Sequence, residues 1–114
     1  HLVWEAIEAG HILAEQGIHA EIINIHTIKP LDANAIVKSV NKTGCVVTAE
    51  EHQMNGGLGD SVAQLLALKK PTPLEMVAVN DSFGESGVPA QLMEKYGLTR
   101  KEIVGATLKV LKRK

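Results

Sequence analysis

Apolar residues recur at helical spacing from the start of the chain. Leu2, Val3, Ala6, Ile7, Ala9, Leu13 and Ala14 fall mainly on one face, and Glu5, Glu8, His11, Glu15 and Gln16 largely on the other. This predicts an amphipathic helix over 2–16, with Gly17 placed to stop it. The pattern then tightens. Residues 20–26, AEIINIH, are rich in β-branched side chains and almost continuously apolar in the middle, as expected of a strand covered on both faces of a parallel sheet. Thr27 to Leu31 reads as a loop around Pro30. Asp32 is the predicted N-cap of a short helix over 33–40, followed by a turn at 41–44 and a second buried strand at 45–49, CVVTA. A glycine-rich stretch leads into a helix over 60–68. Pro71 and Pro73 interrupt the chain before a third strand at 74–79 and a loop at 80–88. Pro89 suits the first turn of a helix reaching Tyr96, with Gly97 at its end. Thr99 with Glu102 forms a capping box for a last helix whose apolar set is Ile103, Val104, Ala106, Val110 and Leu111.

Strands alternating with helices imply an α/β fold with a mainly parallel sheet and helices on both faces. The 114 residues suffice for one domain spanning 1–114. Three strands make a thin sheet for so much apolar helix surface, and a strand preceding residue 1 would complete it. The chain opens on His1 rather than Met, already in helical pattern, so a fragment of a longer polypeptide is expected.

Composition narrows the function classes. With 45% hydrophobic and 22% charged residues, the chain has the balance of a soluble globular domain. Trp4, Phe83 and Tyr96 are its only aromatics, so the core must be aliphatic. A net charge of −1 argues against nucleic-acid binding. The basic tail Lys109, Lys112, Arg113, Lys114 suits a solvated helix C-terminus. The single cysteine, Cys45, rules out an internal disulfide and a Cys-based zinc site. It is read as a small hydrophobe in a reducing, cytoplasmic protein. No apolar run reaches the roughly 20 residues of a membrane span. His1, His11, His19, His26 and His52 show no metal-ligand spacing.

Candidate chemistry gathers at predicted strand ends, where open α/β sheets usually bind ligands. Glu50, Glu51 and His52 could supply acid and base or bind a metal. Adjacent strand residues point to opposite faces, however, so the alternative is that they satisfy loop amides or a subunit contact. Gly56, Gly57 and Gly59 precede a helix whose amides could hold an anion, or they simply permit a tight strand-to-helix turn. The loop Asn80 to Gly87 contains Ser86, which has no evident base partner.

Three segments together resemble the C-terminal domains of transketolases. They are Asn24-Ile25-His26-Thr27-Ile28-Lys29-Pro30-Leu31-Asp32; then Thr48 to His52 with Asn55-Gly56-Gly57-Leu58-Gly59-Asp60; then Ala78 to Asp81, Phe83 to Gly87 and Tyr96 to Thr99. Their order matches over essentially the whole chain, and the Phe83-Gly84-Glu85-Ser86-Gly87 loop looks most like the small C-terminal subunits of split bacterial or archaeal transketolases. The resemblance implies a three-layer α/β/α sandwich and a parent enzyme that transfers two-carbon ketol units between sugar phosphates, as in the pentose phosphate pathway. It implies that thiamine diphosphate and Mg²⁺ are held by other domains, that no catalytic, cofactor-binding or metal residue lies in this chain, and that its partners are the thiamine-binding part and a second copy of the parent. Glu51, His52, Asn55, Gly56, Gly57 and Gly59 are then the candidate interface residues. In the family, the helix resembling 2–16 follows a strand inside the sheet, so an N-terminally truncated domain is expected. Two related parents remain open: a 1-deoxyxylulose-5-phosphate synthase and a 2-oxo acid dehydrogenase beta subunit. So does a free-standing interaction module with Met54, Leu58, Phe83 and Val88 on its binding surface.

Overall fold

The computed structural model describes residues 2–25, 31–51, 57–79 and 89–114. The element order is α1 (Leu2–Glu15), α2 (Ala33–Thr43), β1 (Val46–Glu51), α3 (Leu58–Lys69), β2 (Leu74–Val79) and α4 (Pro89–Arg113). β1 and β2 pair in parallel, with Val46 opposite Leu74 and Glu51 opposite Val79.

Alternation along the strands divides the core into two layers. Val47, Ala49 and Val77 pack with Ala9 of α1 and Ile103 of α4 on one face. Val46 packs with Ile36 and Val40 of α2 and Val62 and Leu66 of α3 on the other. Helices therefore cover both faces of a parallel sheet, the α/β sandwich that the alternating pattern predicts.

Local signals explain most helix ends. Asp32 caps α2, its Oδ1 accepting from the Ala35 N–H at 3.2 Å. Gly17 ends α1 with φ +80°, a conformation costly for other residues. The N–H of Gly17 donates to the Ala14 carbonyl and that of Ile18 to the Leu13 carbonyl, the paired bonds of a Schellman motif. α2 runs to Thr43, past the expected end at Val40, and is closed by Gly44.

Three expectations are corrected. Gly97 and Thr99 do not separate two helices; both lie inside the 25-residue α4. A glycine costs only about 1 kcal/mol within a helix, and Thr99 is buried within α4. Second, Glu5 is not on a solvent face: it is 2% exposed, because it shares with Leu2 and Ala9 the stripe facing α4. Third, residues 20–25 form no strand, and His26 lies outside the described residues. Its side chains nevertheless pack against the helices. Glu21 reaches Lys42 of α2 at 3.1 Å, and Ile25 packs on the α2–α3 layer. Ile22 lies against Gly10 of α1. What it lacks among the described residues is a ladder partner.

Candidate functional site

The C-terminal end of β1 delivers Glu50 to the start of α3. Its side chain points to the α3 face, in step with Val46 and Thr48. Oε1 accepts from the Leu58 N–H at 3.0 Å and Oε2 from the Gly59 N–H at 2.7 Å. The first amides of a helix have no intrahelical acceptor and sit at the positive end of its dipole. A carboxylate supplied from eight and nine residues upstream satisfies two of them. Gly57, the N-cap position, has no side chain to do so. Glu50 thus takes the place an external anion would need, and its oxygens are committed to amides. Asp60 adds a second acid in the first turn.

Gly59 has a different reason to be glycine. It is buried, and a Cβ there would lie 2.8 Å from Met76 Sδ and 3.2 Å from Thr48 Oγ1. Its lack of a side chain lets α3 lie close against both strands. Of the other candidates, Glu51 ends β1 and Gly57 precedes α3 in an extended conformation. His52, Asn55 and Gly56 lie outside the described residues, as do Met54, Phe83, Ser86 and Val88. Leu58 is half-buried against the α2–α3 core layer. Cys45 is half-buried ahead of β1. Among the described residues, no three His, Cys, Asp or Glu side chains group as metal ligands.

Beside β1 runs a groove of about 940 Å³, walled by α1, residues 17–25, α2, the strand itself, the start of α3 and the C-terminal half of α4. The Val46 N–H donates to the Pro73 carbonyl. In a parallel ladder this directs the backbone groups of Val46, Thr48 and Glu50 toward β2 and those of Val47 and Ala49 away from it, into the groove. Across it stand Ile22 and Ile23, 44% and 39% exposed. The space separates residues 20–25 from β1, and its walls are more apolar than polar.

Ion pairs that no sequence pattern announced complete the picture. Arg100 of α4 grips Glu5 of α1 with two bonds of 3.0 Å. The carboxylate's hydrogen bonds and charge hold the guanidinium above its usual range. Arg113 and Lys109 of α4 pair with Glu75 of β2, and the Arg113 hydrogen bond draws that carboxyl below its ordinary value. Lys42 does the same to Glu21, with Ser39 assisting. No described helix is long and apolar enough to cross a membrane.

The family model described as transketolase, C-terminal domain, matches residues 1–103. The chain is 50% identical over 113 residues to a 6-deoxy-6-sulfo-D-fructose transketolase subunit of Clostridium sp. (strain MSTE9), covering 99% of this chain and 35% of that protein. It is 39% identical over 107 residues to 1-deoxy-D-xylulose-5-phosphate synthase 1 of Geobacter sulfurreducens, covering 92% of this chain and 17% of the synthase. A solved split-gene transketolase, described as an inactive beta4 tetramer, superposes with a TM-score of 0.82 at 45% identity, covering 97% of this chain and 36% of that one. The chain therefore spans about a third or less of the length of these relatives. With the helix-covered parallel sheet, the capped glycine-rich helix start and this breadth of similarity agreeing, the chain belongs to the transketolase C-terminal domain family.

Proposed function

We propose that residues 1–114 are the C-terminal, structural part of a cytoplasmic, thiamine-diphosphate-dependent transketolase that moves two-carbon ketol units between sugar phosphates. The part supports assembly with a thiamine-binding subunit or domain, and with a second copy of the parent, rather than the chemical step. The observation that carries this reading is Glu50. The strand-end carboxylate of Glu50 is bound by the Leu58 and Gly59 amides, so it ties the end of β1 to the start of α3. Glu51, His52, Asn55 and Gly56 lie between Glu50 and α3 in the chain, and we assign to them the contact with the rest of the enzyme. Gly57 and Gly59 lie at the start of α3.

The described residues do not fit thiamine diphosphate or its metal. The helix start that could receive a diphosphate is filled by Glu50, and among the described residues no three His, Cys, Asp or Glu side chains group there to hold a metal.

The groove beside β1 supports reading the domain as completed by one more strand, between residues 20–25 and β1. The backbone groups of Val47 and Ala49, which have no ladder partner among the described residues, would be costly to bury unpaired. A strand contributed by the remainder of the enzyme would pair with them and cover Ile22 and Ile23.

The test is reconstitution. The chain and a thiamine-binding subunit are assayed for ketol transfer from xylulose 5-phosphate, separately and mixed. Activity from the mixture alone is expected. Activity indifferent to this chain, with a correctly assembled partner, would overturn the reading in favour of an interaction module. The identity to a 1-deoxy-D-xylulose-5-phosphate synthase sustains a second reading, which formation of that product by the mixture would establish instead.

A further inference from the structure

The outer edge of β2 is held differently from the open edge of β1. The same ladder register directs the backbone groups of Glu75 and Val77 toward β1 and those of Leu74, Met76 and Ala78 outward. At the start of that edge, Arg113 Nη1 donates to the outward Leu74 carbonyl at 2.7 Å. It also bonds Glu75 Oε2 at 2.5 Å. Lys109, one helical turn earlier, stands 3.5 Å from Glu75 Oε1. Arg113 has its side chain half exposed, whereas Glu75 is 18% exposed. The carboxylate is thus an inner strut that two cations of α4 lean on, and one of them reaches over to the edge carbonyl.

An unblocked edge here is a hazard. LEMVAV is a six-residue strand with a single charge, and exposed apolar edges recruit further strands. A strand adding to β2 would need to donate an N–H to the Leu74 carbonyl, where the guanidinium already sits. Helix-dipole matching explains basic residues in this last turn in general, and Lys112 and Lys114 need no other account. It does not explain a bond to a strand carbonyl.

We propose that the last turn of α4 is a latch: Arg113, braced by Glu75 and Lys109, closes the β2 edge against pairing with a second copy of the strand.

The test uses the full natural chain carrying this domain, by sedimentation velocity over a concentration series and by residue-resolved hydrogen exchange. Arg113→Met is expected to associate beyond the wild-type assembly, with at least a tenfold lower concentration for half-association. The Met76 and Ala78 amides should exchange more slowly in the associated species. Lys112→Met removes the same charge from the same turn and is expected to behave as wild type. The proposal is overturned if Arg113→Met sediments as wild type, if Lys112→Met associates equally, or if association leaves the two amides unprotected. Should Arg113→Met not fold, Glu75→Gln decides by the same readouts, since it removes the strut and keeps the guanidinium.

Discussion

Glu5 and Arg100 are 95 residues apart in the chain and meet through two hydrogen bonds of 3.0 Å between α1 and α4. Glu5 is 2% exposed, so its charge has left water and depends on the guanidinium. Breaking such a pair from one side costs more than replacing both members with apolar groups. Arg100→Met is therefore expected to lower the melting temperature more than the double variant Glu5→Leu/Arg100→Met. Urea unfolding of both single variants and the double gives the coupling, and strictly additive losses would show that the pair does not act as a unit.

Glu50 caps α3, and loss of a side-chain cap costs about 0.5–2 kcal/mol. Glu50→Ala is expected to fall in that range by urea unfolding, with Glu50→Gln between it and wild type because the amide oxygen can still accept one N–H. In reconstituted enzyme, Glu50→Gln should retain its turnover per folded molecule. A collapse of kcat with stability intact would instead give this carboxylate a part in the chemistry.

Gly59→Ala places a methyl 2.8 Å from Met76 Sδ and 3.2 Å from Thr48 Oγ1, a hydroxyl that is buried and without a hydrogen-bond partner among the described residues. Overpacking of this kind costs about 1–3 kcal/mol. Shortening Met76 to Ala in the same molecule should recover part of the loss, measured as non-additivity in denaturant midpoints. No coupling between the two sites would mean that α3 does not approach the sheet as closely as described.

Glu75 sets an acid limit. Its folded-state pKa lies below the ordinary 4.5, first through the Arg113 hydrogen bond. A carboxyl lowered in the folded state contributes stability that is fully present above 4.5 and disappears as pH falls through the lower folded value. Denaturant midpoints from about pH 6 to about pH 3 should therefore fall more steeply for wild type than for Glu75→Gln. Parallel curves would remove the pair from the stability balance.

Local chemistry in the sequence determined a great deal of this protein. The position of β2, the start of α1 and its Gly17 stop, and the Asp32 cap all follow from residues near one another in the chain, because periodicity, caps and left-handed glycines act over a few residues. The family resemblance was also legible, since its motifs are short and ordered. Tertiary structure decided the rest. Whether AEIINIH becomes a strand depends on a neighbour to pair with, and hydrogen-bond partners are not encoded in the segment itself. Glu5 reads as polar surface until Arg100 arrives from the far end of the chain to neutralise it. Glu50 reads as an acid–base candidate until the chain returns its own helix amides to the carboxylate. In each case the deciding contact lies beyond the reach of local pattern, and burial sets the energy of a polar group by what it meets there.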